Sequence, residues 1–182
     1  MNTRYSYKVV IALVLILLIA GWFTYRVVST HQATSQQTDV AQSFTNSASD
    51  QYTSLNGEVI DVDEYFGEVM VVNSWASWSP QSREQLNTLS MLAEEFQGNA
   101  VHFLAINRSE PNTTAEAYLN SVTIAEELTI ILDDTDNFYQ TIEAYAMPVT
   151  LVYGKEGDLV YEAAGEFSLD KIKRIIEEQL AL

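Results

Sequence analysis

The feature that most constrains this chain is a change of hydrophobic period around residue 75. Residues 69–72, Val69-Met70-Val71-Val72, are apolar without a break; after Trp75-Ala76-Ser77-Trp78-Ser79-Pro80-Gln81-Ser82 the apolar residues recur at three- and four-residue spacing, at Leu86, Leu89, Leu92, Ala93 and Phe96. A short continuous apolar run suits a strand covered on both faces. The spaced residues that follow are the stripe of a helix packed by one side, ending before Gly98. A covered strand sits inside a sheet, so other elements must pack on both faces of it. Ser79-Pro80 reads as the helix start, a serine N-cap followed by a residue whose missing N–H costs nothing at the first helical position. Ser82 falls at the third helical position, within reach of a free amide.

The same alternation continues along the chain. Asn56-Gly57 is a hairpin turn leading into a strand over 58–62. Residues 101–106 form a second buried strand, and Thr113-Thr114-Ala115-Glu116 has the form of a capping box opening a helix to about Ser121. A third strand over 128–132 enters Asp133-Asp134-Thr135-Asp136-Asn137. That acidic loop lacks the glycine and distal glutamate of a helix-loop-helix calcium site, so it reads as a solvated loop with a helix N-cap. A short helix over 138–145 meets Met147-Pro148. Strands over 149–153 and 159–163 flank Gly154-Lys155-Glu156-Gly157 as a hairpin, and Ser168 is placed to cap a last helix with Leu169, Ile172, Ile175, Ile176 and Leu180 along its apolar side. The expected class is α/β, a mixed central sheet flanked by helices.

Ahead of this domain, residues 9–23 are 15 consecutive residues without a polar side chain other than the Trp22 indole, preceded by Arg4 and Lys8. Tyr5, Tyr7, Trp22 and Tyr25 at the ends suit membrane interfaces, and the basic residues place the N-terminus in the cytoplasm. The expected organisation is a cytoplasmic stub and transmembrane signal anchor over 1–28, a flexible Ser/Thr/Gln-rich linker over 29–50, and a globular domain over 51–182. That predicts a single-pass protein of the cell membrane with its domain extracytoplasmic. His31 lies in the linker, where solvation accounts for it.

Charge and sulfur exclude whole classes of function. Beyond Arg26 six basic residues face 25 acidic ones, a balance of −19. Such a surface repels phosphate backbones, so nucleic acid is not an expected partner. The chain has no cysteine, which removes disulfides, thiolate metal sites and sulfur nucleophiles. No residue pattern calls for a cofactor or a metal.

Four landmarks in order, over about residues 50–182, resemble the thioredoxin superfamily and within it the membrane-anchored TlpA/ResA-like thiol-disulfide oxidoreductases. They are the Asn56-Gly57 hairpin, the Val72-Asn73-Ser74-Trp75-Ala76-Ser77-Trp78 entry to the turn, the Asp133-Asp134 loop before a short helix, and Met147-Pro148-Val149-Thr150 followed by a Gly-x-x-Gly hairpin. The resemblance implies a thioredoxin-like fold, a cis Pro148 facing Ser79, a buried Trp75, a partly exposed Trp78, and an edge beside Pro148 that holds an extended peptide. It also places Ser79 and Ser82 where the family carries its two reactive cysteines, Gln85 where it commonly carries a proton-handling glutamate, and Asn87 where a helix proline is common.

Serine cannot cycle through a disulfide, so the chain as written cannot perform thiol-disulfide exchange. Ser79 as a hydrolytic nucleophile would need a base, and the domain's one histidine, His102, falls near the start of a buried strand where hydrogen bonding at the core edge accounts for it. The catalytic-equivalent positions are therefore Ser79, Ser82 and Gln85. The candidate binding residues are Trp78, Pro80, Gln81, Met147 and Pro148. Three functions follow: a redox-inactive, membrane-tethered module binding an extracytoplasmic protein or peptide; an oxidoreductase whose cysteines were exchanged for serine; or a structural subunit of an envelope complex. Gln85 and Asn87 favour drift over a deliberate exchange, which would have left both positions alone.

Overall fold

The computed structural model describes residues 52–142 and 144–182, with Leu15, Leu17 and Trp22 ahead of them. The chain divides into two units, Met1–Asp39 and Val40–Leu182. In the first unit Leu15, Leu17 and Trp22 are helical and exposed. The remainder of the expected anchor and the whole of the expected linker lie outside the described residues. Among the described residues, no helix is long and apolar enough to cross a membrane.

In the second unit the order is β1 (Tyr52–Ser54), β2 (Val59–Ile60), a 3-10 turn (Val62–Tyr65), β3 (Val69–Trp75), α1 (Ser82–Glu95), β4 (Val101–Arg108), α2 (Asn112–Leu119), β5 (Leu128–Asp133), α3 (Asn137–Thr141), β6 (Val149–Tyr153), β7 (Leu159–Ala164) and α4 (Leu169–Leu180). The strands form one sheet in the order β2-β1-β5-β4-β3-β6-β7. β3, β4 and β5 are parallel, and the remaining neighbours pair antiparallel. The mixed sheet is the one expected: helical crossovers join the parallel strands β3, β4 and β5, and tight turns join the consecutive antiparallel pairs β1–β2 and β6–β7.

Every residue of β3 is buried, and the two-residue period divides its side chains between two cores. Val69, Val71 and Trp75 face Leu86, Leu89 and Leu92 of α1 and Ile172 and Ile176 of α4. Met70 and Val72 face the other way, into a core with Val62, Leu151, Tyr153, Phe138 and Ile142. This two-sided cover is why the run 69–72 carries no polar residue.

Several element ends differ from expectation. β2 covers only Val59–Ile60, because Val62 turns back to bury itself in the Met70 core. α2 starts at Asn112 with Pro111 at its N-cap position, so Thr113 already lies inside the first turn and no capping box forms. α3 ends at Thr141; the Tyr139 hydroxyl donates to the Ala146 carbonyl at 3.2 Å, drawing the following chain towards Met147. Ser168 does hold the N-cap position of α4, in extended conformation, but its side chain makes no capping hydrogen bond.

Candidate functional site

The turn after β3 is fixed from both sides by the sheet. Trp75 is in register with Asn107 of β4, and Ser74 with Val149 of β6. Trp75 is fully buried and stacks on Tyr118 with ring centroids 5.5 Å apart. Glu110, from the connection between β4 and α2, then clamps the first residues of the turn. Its carboxylate accepts the Ser77 N–H at 2.8 Å, the Ser77 hydroxyl at 2.5 Å and an Asn107 amide N–H at 2.8 Å. A carboxylate with three donors is a strong fastening, since charge-assisted hydrogen bonds are roughly twice as strong as neutral ones.

Ser79 does not cap the helix, and Ser82 meets a free amide from the first helical position rather than the third. The helix begins at Ser82, with Gln81 at the N-cap position and no side-chain capping bond. Residues 79–81 form a tight turn instead, in which the Ser82 N–H donates to the Ser79 carbonyl at 3.2 Å. The Ser79 hydroxyl points across the site and donates to the carbonyl of Met147 at 3.3 Å. Ser82 accepts the Ala76 N–H on its hydroxyl oxygen at 3.3 Å. Both serines are buried, and both hydroxyls are spent on backbone. The Met147–Pro148 peptide is cis, as the resemblance implies, and the Pro148 carbonyl accepts the N–H of Gly165 at 2.7 Å.

Gln85 lies beneath the turn in a buried polar network. Its Oε1 accepts from Thr150 Oγ1 at 3.2 Å and from Asn73 Nδ2 at 3.4 Å, while its Nε2 donates to the Gly165 carbonyl at 2.9 Å. Asn73 Nδ2 also donates to Thr150 Oγ1 at 2.8 Å and to the Val149 carbonyl at 3.3 Å. An amide meets these demands because it accepts on one side and donates on the other. An ionised carboxylate here would set an acceptor against the Gly165 carbonyl. Asn73, Thr150, Gly165 and Glu110 were not singled out from sequence; Asn73 and Thr150, polar residues within apolar strands, were the available signal that a partner was needed.

The candidate binding residues divide. Trp78 is 61% exposed, Pro80 and Gln81 are exposed, Met147 is half-buried and Pro148 is buried. Ser79 and Met147 are brought together by the hydrogen bond between them, and the Ser74 hydroxyl lies 3.9 Å from the Met147 sulfur. His102 is elsewhere. It pairs with Glu68 at 2.8 Å and packs on Tyr65 with centroids 4.3 Å apart, in register with Met70 at the start of β3. At ~3.3 Å per residue, the five residues from His102 to Asn107 separate it from the turn by roughly 16 Å, so it is no base for Ser79.

The acidic loop is a structural device beside this site. Asp133 is buried and caps α3, accepting the N–H groups of Asn137 at 3.0 Å and Phe138 at 2.9 Å. The loop was expected to be solvated, but burial of its first residue satisfies the short helix's free amides. Burial pushes the Asp133 carboxyl above its ordinary value, and the bonds from Asn137, Phe138 and Thr135 pull it partly back. Arg108 makes a bidentate pair with Asp136, at 2.7 and 2.9 Å, and lies 3.5 Å from the centre of the Tyr139 ring.

A mixed sheet with a cis proline set against the strand-to-helix turn defines a thioredoxin-like domain, here with hydroxyls where the class carries sulfur. The family model for redoxins matches residues 36–179, and the chain belongs to the redoxin family. Among its relatives are the thiol-disulfide oxidoreductases ResA of Halalkalibacterium halodurans, 22% identical over 68% of this chain and 69% of that protein, and of Geobacillus kaustophilus, 22% identical over 69% and 71%. Similar solved structures include the exposed lipoprotein thioredoxin Etrx1 of Streptococcus pneumoniae, with a TM-score of 0.62 and 19% identity over 70% of this chain and 97% of that one. StoA of Bacillus subtilis aligns with a TM-score of 0.57 and 16% identity over 68% and 92%.

Two substitutions read out this chemistry. Gln85→Glu is expected to lower stability by about 1–3 kcal/mol at neutral pH, with the loss recovered in acid, where a protonated carboxyl again donates to Gly165; denaturant midpoints across pH would show it, and a pH-independent loss would contradict it. Asp133, whose folded value is raised, contributes most to stability below the ordinary carboxylate range and loses that contribution as pH rises through the raised value. Asp133→Asn should therefore reduce the gain in melting temperature seen on acidifying from neutral to mildly acid pH.

Proposed function

We propose that this redoxin is a membrane-tethered, extracytoplasmic module that holds an extended peptide segment of a partner protein without exchanging thiols with it. The observation that carries the reading is the pairing of opposites at one turn. Ser79, at the nucleophile's position, is buried and bonded to the Met147 carbonyl, while its neighbour Trp78 is 61% exposed. An exposed tryptophan on a rigid turn supplies large contact area at low conformational cost. Met147 precedes a sheet ladder whose pairing with β3 begins at Val149, so its backbone stands outside the sheet. The apolar run over residues 9–23 and the basic residues before it support the tether.

A test uses membranes from cells producing the full chain. The chain should stay with them through alkaline carbonate extraction and should bind a labelled, unstructured, cysteine-free peptide, with binding lost in Trp78→Ala. Release by carbonate would overturn the tether; binding indifferent to Trp78 would overturn the groove.

The thiol-disulfide oxidoreductase activity of the ResA relatives favours one other reading, an oxidoreductase stopped only by exchange of its two cysteines. Gln85 stands against it, since its neutral amide is bonded into the network in place of a proton-handling carboxylate. Ser79→Cys with Ser82→Cys is expected to reduce a model disulfide at least about 100-fold more slowly when Gln85 is kept than when Gln85→Glu is added. Full activity with Gln85 in place would establish the simpler exchange.

A further inference from the structure

Ser77 and Trp78 lie between two points of the turn that are fastened independently of them. Ala76, on one side, is buried; its N–H donates to the Ser82 hydroxyl oxygen at 3.3 Å and its carbonyl accepts the Ser79 N–H at 3.1 Å. Ser79, on the other, is buried and its hydroxyl donates to the Met147 carbonyl at 3.3 Å. No titratable group takes part in these contacts. The residues between them are fastened differently. Ser77 donates its N–H to Glu110 Oε2 at 2.8 Å and its hydroxyl to Oε1 at 2.5 Å, and Trp78, the next residue, is 61% exposed.

Glu110 is half-buried, and among the described residues no cation forms an ion pair with it. The titratable and charged groups around it are few. Tyr118 of α2 responds to it: burial pushes the phenol up, Arg83 pulls it down and the Glu110 charge pushes it up again. Arg83 of α1 lies 5.4 Å from the centre of the Tyr118 ring and donates to Ser121. Arg108, at the end of β4, is paired with Asp136. β3 and β4 contribute Trp75 and Asn107, which are neutral. The strength of the fastening therefore depends on the charge of Glu110 itself. Oε2 already takes two N–H donors that cannot reverse, from Ser77 and from Asn107. An added proton goes to Oε1, where the Ser77 hydroxyl turns round to accept it. The contacts persist but lose the charge assistance that makes them roughly twice as strong as neutral ones.

We propose that residues 77–78 form a flap latched by ionised Glu110, closed at neutral pH and loosened in acid, with Ala76 and Ser79 as its fixed ends. The loosening is local, because the β3 ladders, the Ser82 contact and the Ser79 contact are untouched by the proton. The exposed indole is thereby set by pH while the sheet beneath it is not. The latch does not rest on the peptide-binding reading above, since it concerns how firmly Trp78 is held, whatever lies against it.

Amide hydrogen exchange followed by NMR on the full chain in non-ionic detergent tests the latch, with protection taken relative to the free-chain rate at each pH. From neutral to mildly acid pH, protection of the Ser77 amide should fall about tenfold and the heteronuclear NOE of the Trp78 backbone should drop. The Ser79 amide and the Val71 amide in β3 should keep their protection. Glu110→Gln still accepts the two N–H donors but carries no charge, so it should show the loosened values at neutral pH and no further change in acid. Protection of Val71 in the same spectra shows whether that variant is folded; if it is not, the wild type decides, since the Ser77 amide shift must follow the same pH course as the Glu110 carboxyl carbon resonance. Divergent courses would overturn the latch, as would Ser77 protection indifferent to pH or an acid response that survives Glu110→Gln. A fall shared by Ser77, Ser79 and Val71 would assign the change to the whole domain and overturn the flap.

Discussion

β3 has neither a free face nor a free edge, and the rest of the domain depends on that. Seven buried residues pair in parallel with β4 on one side and antiparallel with β6 on the other. The turn that follows therefore leaves the sheet from a point that cannot shift without breaking two ladders. Beneath it, Asn73, Thr150 and Gln85 bring polar groups into the α1-facing core and hydrogen-bond one another there, with Asn73 Oδ1 alone left without a partner among them. A buried network of this kind is costly when incomplete and specifies one arrangement when satisfied. Here it fixes α1 against β6 and the start of the β7–α4 connection at Gly165.

The replacement of sulfur by oxygen in this setting is more than a deletion. A reactive thiolate needs access and a lowered proton affinity. Ser79 has neither need, and its hydroxyl spans to a carbonyl 68 residues away in sequence. Ser82 closes the turn on Ala76. Ser79 and Ser82 instead hold the strand-to-helix turn and the cis-proline segment to fixed partners, and Gln85 sets a neutral amide beneath them.

The architecture was legible because it rests on period and punctuation. The run at 69–72, the stripe from Leu86 to Phe96, the Asn56-Gly57 turn and the Gly154–Gly157 turn each demand one kind of element, and each is present. The helix starts were less legible. Ser79, Thr113 and Ser168 all carry the chemistry of a cap, yet none caps through its side chain; the Ser79 hydroxyl goes instead to the Met147 carbonyl that tertiary structure brings near. Asp133, buried at the end of β5, does the capping that a solvated loop was expected to supply. Glu110 left no local trace, since a glutamate that clamps a turn 33 residues earlier looks like any surface acid until the sheet brings the two together. The likeness at the turn was legible only through a family pattern, as Trp75-to-Ser82 contains no reactive group of its own.

Gly165 is held twice, its N–H by Pro148 and its carbonyl by Gln85. Both partners are themselves buried, and Glu166 follows directly. A ligand lying along this stretch meets backbone whose freedom was given up when the chain folded, so little remains to be ordered on contact. The backbone at Gly165 is in this sense preorganised, and Asn73, Thr150 and Gln85 beneath it carry neither an ionisable side chain nor a thiol.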